Sequence, residues 1–217
     1  MNDTRRPNLW EWGLLGISLV LFVTLTIGIT THAQWVINLD RLIIRAVRFP
    51  QTPWKNLIVS WYTTFFNPVP LIIFILAGTL ILFIEHYYRA MFFFLFTPVL
   101  GTILNSVIKA LVKRPRPSFD PLMHYGGYSF PSGHSSGAVL VLGCVMVLIS
   151  SFMIKRQRCY VINIVIFIFI LLVGYSRIYV GVHYPSDVLA GFCLGYIVVF
   201  VGQTVFGYHH SPRHHQL

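Results

Sequence analysis

Three short stretches of this apolar chain gather cations, imidazoles and small polar residues. The first, KALVKRPRP at 109–117, carries Lys109 and Arg116. The second is Pro131-Ser132-Gly133-His134, and the third, SRIYVGVHYPSD at 176–187, holds Arg177, His183 and Asp187. Lys109, Arg116 and Arg177 are cationic donors, and the guanidinium fork matches phosphate oxygens. Ser132 can cap a helix or donate its hydroxyl, and Gly133 permits close approach to the backbone. A helix starting there turns free N–H groups and the positive end of its dipole toward an anion. The combination suits a phosphoryl group.

His183 followed by Asp187 fits a carboxylate that orients an imidazole and stabilises its cation. Such an imidazole can attack phosphorus and divide a displacement into two steps through a phosphoenzyme. His134 would protonate the leaving oxygen and later take a proton from the attacking water. The three cations would stabilise charge on the equatorial oxygens.

The elements that must position these groups are membrane helices. The chain of 217 residues is 56% hydrophobic and 10% charged, with a mean hydropathy of +0.71. A soluble surface needs roughly 25% charged residues, so the pattern implies one integral membrane domain over residues 1–217. Apolar runs at 13–30, 68–84, 90–112, 132–153, 159–178 and 186–206 predict six transmembrane helices, an all-α bundle with its catalytic core at 90–206. The first run is too long for a signal-peptide core and reads as a retained anchor.

Between the first two spans, Val36, Leu39, Ile43 and Val47 recur at helical spacing, with Arg41, Arg45 and Arg48 opposite. That pattern predicts an interfacial amphipathic helix over 33–49, either a connector on head groups or a guide for lipid. The spacing of Lys109 and Arg116 places both on one side of a helix if it continues that far, ended by Pro115 and Pro117.

Spans alternate in direction, so all three polar stretches fall on one membrane face. Lys155, Arg156 and Arg158 in one loop, with Arg5 and Arg6, set both termini in the cytoplasm and the site outside. The basic residues of the opposite face, including Arg41, Arg45, Arg48 and Lys55, then need other duties. Lys113 and Arg114 are expected to face head groups.

Together the stretches resemble the type 2 phosphatidic acid phosphatase superfamily: Lys-x6-Arg-Pro (Lys109, Arg116, Pro117), Pro-Ser-Gly-His (131–134) and Ser-Arg-x5-His-x3-Asp (Ser176, Arg177, His183, Asp187). The register is fixed, because Arg114-Pro115 would need a lysine where Val107 stands. The resemblance covers residues 90–206 and implies the six-span fold for the whole. It implies His183 as nucleophile, Asp187 as its partner and His134 as general acid. Lys109, Arg116, Ser132, Gly133 and Arg177 would bind phosphate, with no metal or other cofactor.

The compact form resembles bacterial members, plasma-membrane enzymes acting on a phospholipid or polyprenyl phosphate. Undecaprenyl pyrophosphate and phosphatidylglycerol phosphate are favoured, with phosphatidic acid hydrolysis or phosphotransfer to another acceptor as alternatives on the same site.

Rival readings fare worse. The +10 net charge lies between spans and suits lipid head groups or phosphate, not nucleic acid. Zinc on His134, His183 and Asp187 would meet three opposing cations. An anion transporter would carry charge near the bilayer midplane, yet 138–150 and 161–173 hold none. Cys144, Cys159 and Cys193 read as small buried hydrophobes. His209, His210, His214 and His215 form a titratable tail.

Overall fold

Large apolar side chains point outward along much of this molecule. Val20, Ile73, Leu76, Ile81 and Ile164 are all more than half exposed, an arrangement that water would penalise and lipid accepts. The computed structural model describes residues 7–118, 120–153 and 155–208, with the backbone alone at 156. Arg5, Arg6 and the tail histidines lie outside the described residues.

Among those residues all regular secondary structure is helical: α1 (Leu9–Thr30), α2 (Gln34–Arg48), α3 (Pro53–Thr64), α4 (Pro68–Ile84), α5 (Tyr88–Val112), α6 (Gly133–Phe152), α7 (Arg156–Tyr179) and α8 (Pro185–Phe206). Five of these, α1, α5, α6, α7 and α8, are long and apolar enough to cross a membrane alone. The expected span at 68–84 is α4, which has 17 residues. With α3 it makes a sixth candidate, bent by 46° at the break between them.

α1 begins four residues before the expected 13, because Asn8 and Glu11 form a capping box: Glu11 N–H donates to Asn8 at 2.9 Å and Asn8 N–H to Glu11 at 2.8 Å. The sequence reading missed α3. Its signal was present: Pro53 sits in the first turn, and Trp54, Leu57, Ile58 and Trp61 follow at i, i+3, i+4, i+7, all turned outward.

α8 is the central element and packs against α1, α5 and α6. Small residues allow this closeness. A Cβ on Gly191 would lie 2.7 Å from the Ser132 carbonyl oxygen, so the start of α6 rests almost on the α8 backbone. Phe93, Leu140, Cys144, Leu194 and Val199 fill the core where α5, α6 and α8 meet.

α2 is amphipathic as expected, with Val36 inward and Arg41 and Arg45 exposed. Two details differ. Arg48 is half-buried and donates to the Asp120 carbonyl at 2.6 Å, and the inward face carries Asp40, only 3% exposed.

Candidate active site

The motif residues come from four helix ends and the loop 113–132. α5 stops at Val112, and Lys113 adopts a left-handed conformation with φ of 51°. Pro115 disfavours a helical Arg114 and offers no N–H of its own. Arg116 therefore leaves from a loop, not from one side of a helix shared with Lys109. Its guanidinium is held by the carbonyls of Gly126 at 3.0 Å, Gly127 at 3.2 Å and Val182 at 3.0 Å.

Arg116 Nη1 also lies 3.2 Å from His183 Nε2. A guanidinium can only donate, so Nε2 must accept and carry the ring's lone pair. The imidazole proton then sits on Nδ1, 3.5 Å from Asp187 Oδ2. That separation exceeds a formed hydrogen bond, and Nδ1 is buried with no hydrogen-bond partner among the described residues. His183 is 2% exposed. Burial, with Arg177 and Arg116 adding to it, outweighs Asp187 and lowers its pKa to about 4. The ring is neutral at pH 7 and its free nitrogen faces a guanidinium.

Asp187 lies in the first turn of α8, where Oδ2 accepts the Tyr184 N–H at 2.9 Å. Its backbone carbonyl takes the Ser132 N–H at 3.0 Å, which ties the start of α8 to that of α6. Ser132 caps α6, and its hydroxyl receives the Ser135 hydroxyl at 2.9 Å. A Cβ on Gly133 would meet only Asn105 Oδ1 at 3.7 Å and Lys109 Cε at 4.0 Å. The protein itself would tolerate a side chain there, so the glycine leaves the α6 N-terminus approachable from the Lys109 side. Lys109 donates to the Tyr128 carbonyl at 2.8 Å.

Arg177 is fully buried at the end of α7. Its Nη1 donates to Thr63 at 2.8 Å and its guanidinium lies 4.5 Å from the Tyr125 ring. Nε and Nη2 have no partner among the described residues. Unsatisfied buried donors are costly, and an anion satisfies them. His134 Nε2 is 2.8 Å from Asn67 Oδ1, which also accepts the Tyr125 hydroxyl at 3.0 Å.

Three groups of residues escaped the sequence reading. Thr63 and Asn67 flank the α3–α4 break, 114 and 67 positions from the side chains they hold. Tyr125 stands between Arg177 and His134. The third group centres on Arg114, which does not face head groups. Arg114 bonds Asp187 Oδ1 at 2.6 Å, Asp40 Oδ2 at 2.7 Å and the Ser186 hydroxyl at 2.7 Å. Asp40 also accepts the Ser186 N–H at 2.8 Å. Burial opposes the charge on Arg114, but the two carboxylates outweigh it and hold the guanidinium above its usual range. A lone acid in the arginine-rich 34–48 stretch was the available signal, in a chain with six acidic residues.

Among the described residues no three His, Cys, Asp or Glu side chains gather into a group that could hold a metal. The arrangement can clasp a phosphoryl group between cations, present a neutral imidazole to it and place a second imidazole nearby.

Comparison with known proteins identifies the family. Residues 90–211 match the PAP2 superfamily model. Phosphatidylglycerophosphatase B of Bacillus subtilis (strain 168) is 35% identical over 198 residues, covering 85% of this chain and 91% of the relative. Undecaprenyl-diphosphatase BcrC of the same organism is 36% identical over 110 residues, 48% of this chain and 52% of that one. The crystal structure of a transmembrane PAP2 type phosphatidylglycerolphosphate phosphatase from Bacillus subtilis superposes with a TM-score of 0.76 at 30% identity, covering 87% of this chain and 94% of that chain. With its motif residues at four helix ends and in the loop after α5, and a family match over more than half its length, this multi-pass membrane phosphatase belongs to the PAP2 superfamily.

Proposed function

We propose that this membrane lipid phosphatase hydrolyses the terminal phosphate monoester of a phosphatidylglycerol phosphate through a phosphohistidine on His183. The observation that carries the reading is buried Arg177, whose Nε and Nη2 lack partners among the described residues, together with a His183 whose Nε2 lone pair faces Arg116 Nη1 at 3.2 Å. Three cationic side chains and the α6 N-terminus suit a dianionic head. The choice of lipid draws on the relative that shares 91% of its length with this chain. Undecaprenyl pyrophosphate is the second reading, favoured by the shorter similarity to BcrC.

In the first step His183 Nε2 forms a bond to phosphorus as the bond to the lipid oxygen breaks. His134, entering as the imidazolium, gives a proton to that oxygen and is left neutral, so the lipid leaves as an alcohol. Water then forms a new bond to phosphorus as the P–Nε2 bond breaks and returns its electron pair to His183, while neutral His134 takes a proton from the water and inorganic phosphate departs. Asp187 steadies the His183 cation, while Lys109, Arg116, Arg177, Ser132 and the Gly133 backbone hold the phosphoryl oxygens.

The proposed setting is one membrane domain with six crossings, α4 providing the second, and with α2 lying along the interface. The site then faces outward and both termini lie in the cytoplasm. Phosphate release from a panel of lipids, with and without EDTA, tests the chemistry. His183→Ala and His134→Ala are expected to lose roughly a thousandfold or more of the rate. Full activity in His183→Ala overturns the nucleophile, and loss of wild-type activity in EDTA overturns metal independence.

A further inference from the structure

A cavity of about 870 Å³ lies between the end of α1, α2 and the end of α5, within the roughly 300–1,000 Å³ usual for ligand sites. Ile29, Val36, Ile44 and Val112 line its apolar part, and Arg41, Arg45 and Lys113 its charged part. It is separate from the phosphate site: Lys109, Arg116, His134, Arg177 and His183 are not among its lining residues. Arg114 and Asp40 form the wall between the two. Asp40 is the acid on that wall, and its carboxylate is already taken by Arg114 and Ser186.

The other cations at this end of the bundle have partners. Arg48 holds the Asp120 carbonyl, Lys55 sits 4.6 Å from the Tyr179 ring, and Arg114 pairs with two carboxylates. Lys109, Arg116 and Arg177 belong to the phosphate site. The side chains of Arg41, Arg45 and Lys113, all exposed residues, make no hydrogen bond, ion pair or ring contact among the described residues. All three line this one cavity. Three unpartnered cations above an apolar floor, on α2 and just past the end of α5, complement one kind of molecule.

We propose that this cavity is a second lipid site, occupied by an anionic phospholipid that is not hydrolysed there. Its chains rest against Ile29, Val36, Ile44 and Val112, and its phosphodiester lies among Arg41, Arg45 and Lys113. Arg114 and Asp40 place the occupant directly behind Asp187. The proposal stands apart from the hydrolytic reading, and bound lipid can be measured without turnover.

The test is native mass spectrometry of the detergent-purified full chain equilibrated with dioleoylphosphatidylglycerol or dioleoylphosphatidylcholine. The wild type is expected to retain phosphatidylglycerol in preference to phosphatidylcholine. Arg41→Gln/Arg45→Gln/Lys113→Gln weakens retention by roughly tenfold or more, and Arg41→Lys/Arg45→Lys keeps it. Ile44→Trp, which fills the apolar part and leaves every charge in place, also loses the lipid. It decides the matter if the triple variant fails to fold. Equal retention of both lipids by the wild type overturns the proposal, as does unchanged retention in either the triple variant or Ile44→Trp. Displacement by inorganic phosphate as effective as displacement by the lipid also overturns it, because the chains would then contribute nothing.

Discussion

His183 is defined by its neighbours more than by its own chemistry. Burial keeps the ring neutral, and the donor-only Arg116 keeps the lone pair on Nε2. Because its pKa is lowered from 6.5 to about 4, the acid limb of kcat/KM should lie near pH 4. A limb near 6.5 in a rate–pH profile would mean that the proposed nucleophile titrates as a solvated imidazole. The same shift acts on stability. Between pH 6.5 and about 4 the unfolded chain binds more protons than the folded one, so unfolding free energy should fall as pH falls through that window.

Asp40 is expected to act as a positioning residue. In Asp40→Asn the Arg114 charge bears undivided on Asp187, which then supports the His183 cation less well. Expected is a kcat reduction of roughly tenfold, about 1.4 kcal/mol, with KM little changed and the acid limb moved to lower pH. A lower melting temperature with kcat and the limb unchanged would make Asp40 merely structural.

At the scale of elements, the site depends on two helix encounters. α8 and α6 approach so closely that a side chain at Gly191 would strike the Ser132 carbonyl. Gly191→Val should therefore cost about 1–3 kcal/mol by overpacking and displace Ser132, lowering activity beyond the loss of folded protein. Denaturant unfolding in detergent, set beside the specific rate, checks both. The second encounter is the α3–α4 break against the ends of α6 and α7. Thr63→Val removes the acceptor of Arg177 Nη1 and leaves a further buried donor unsatisfied, at about 1–3 kcal/mol. An unchanged unfolding midpoint would show that another group takes over.

For the whole molecule, the proposed outward-facing site can be tested by chemical labelling. Cys144, Cys159 and Cys193 are buried, so background labelling should be low. Tyr128→Cys, at an exposed position, should react with a membrane-impermeant maleimide added to intact cells. Labelling only after the membrane is broken would reverse the proposed orientation.

Much of this protein was written in its local patterns. Apolar runs announced α1 and α4–α8 because lipid demands long unbroken helices with internally satisfied backbones. Pro-Ser-Gly-His and Ser-Arg-x5-His-x3-Asp announced the proposed reacting groups because phosphoryl chemistry needs cations, a helix start and imidazoles together. Helix parity placed these stretches at one end. What only the tertiary structure decided is which side chains serve the others. Arg114 looked like a head-group contact until the fold brought Asp40 and Asp187 to its two sides. Thr63 and Asn67 gave no sign of meeting Arg177 and His134. Such contacts depend on where separate helices cross, and no local pattern encodes a crossing.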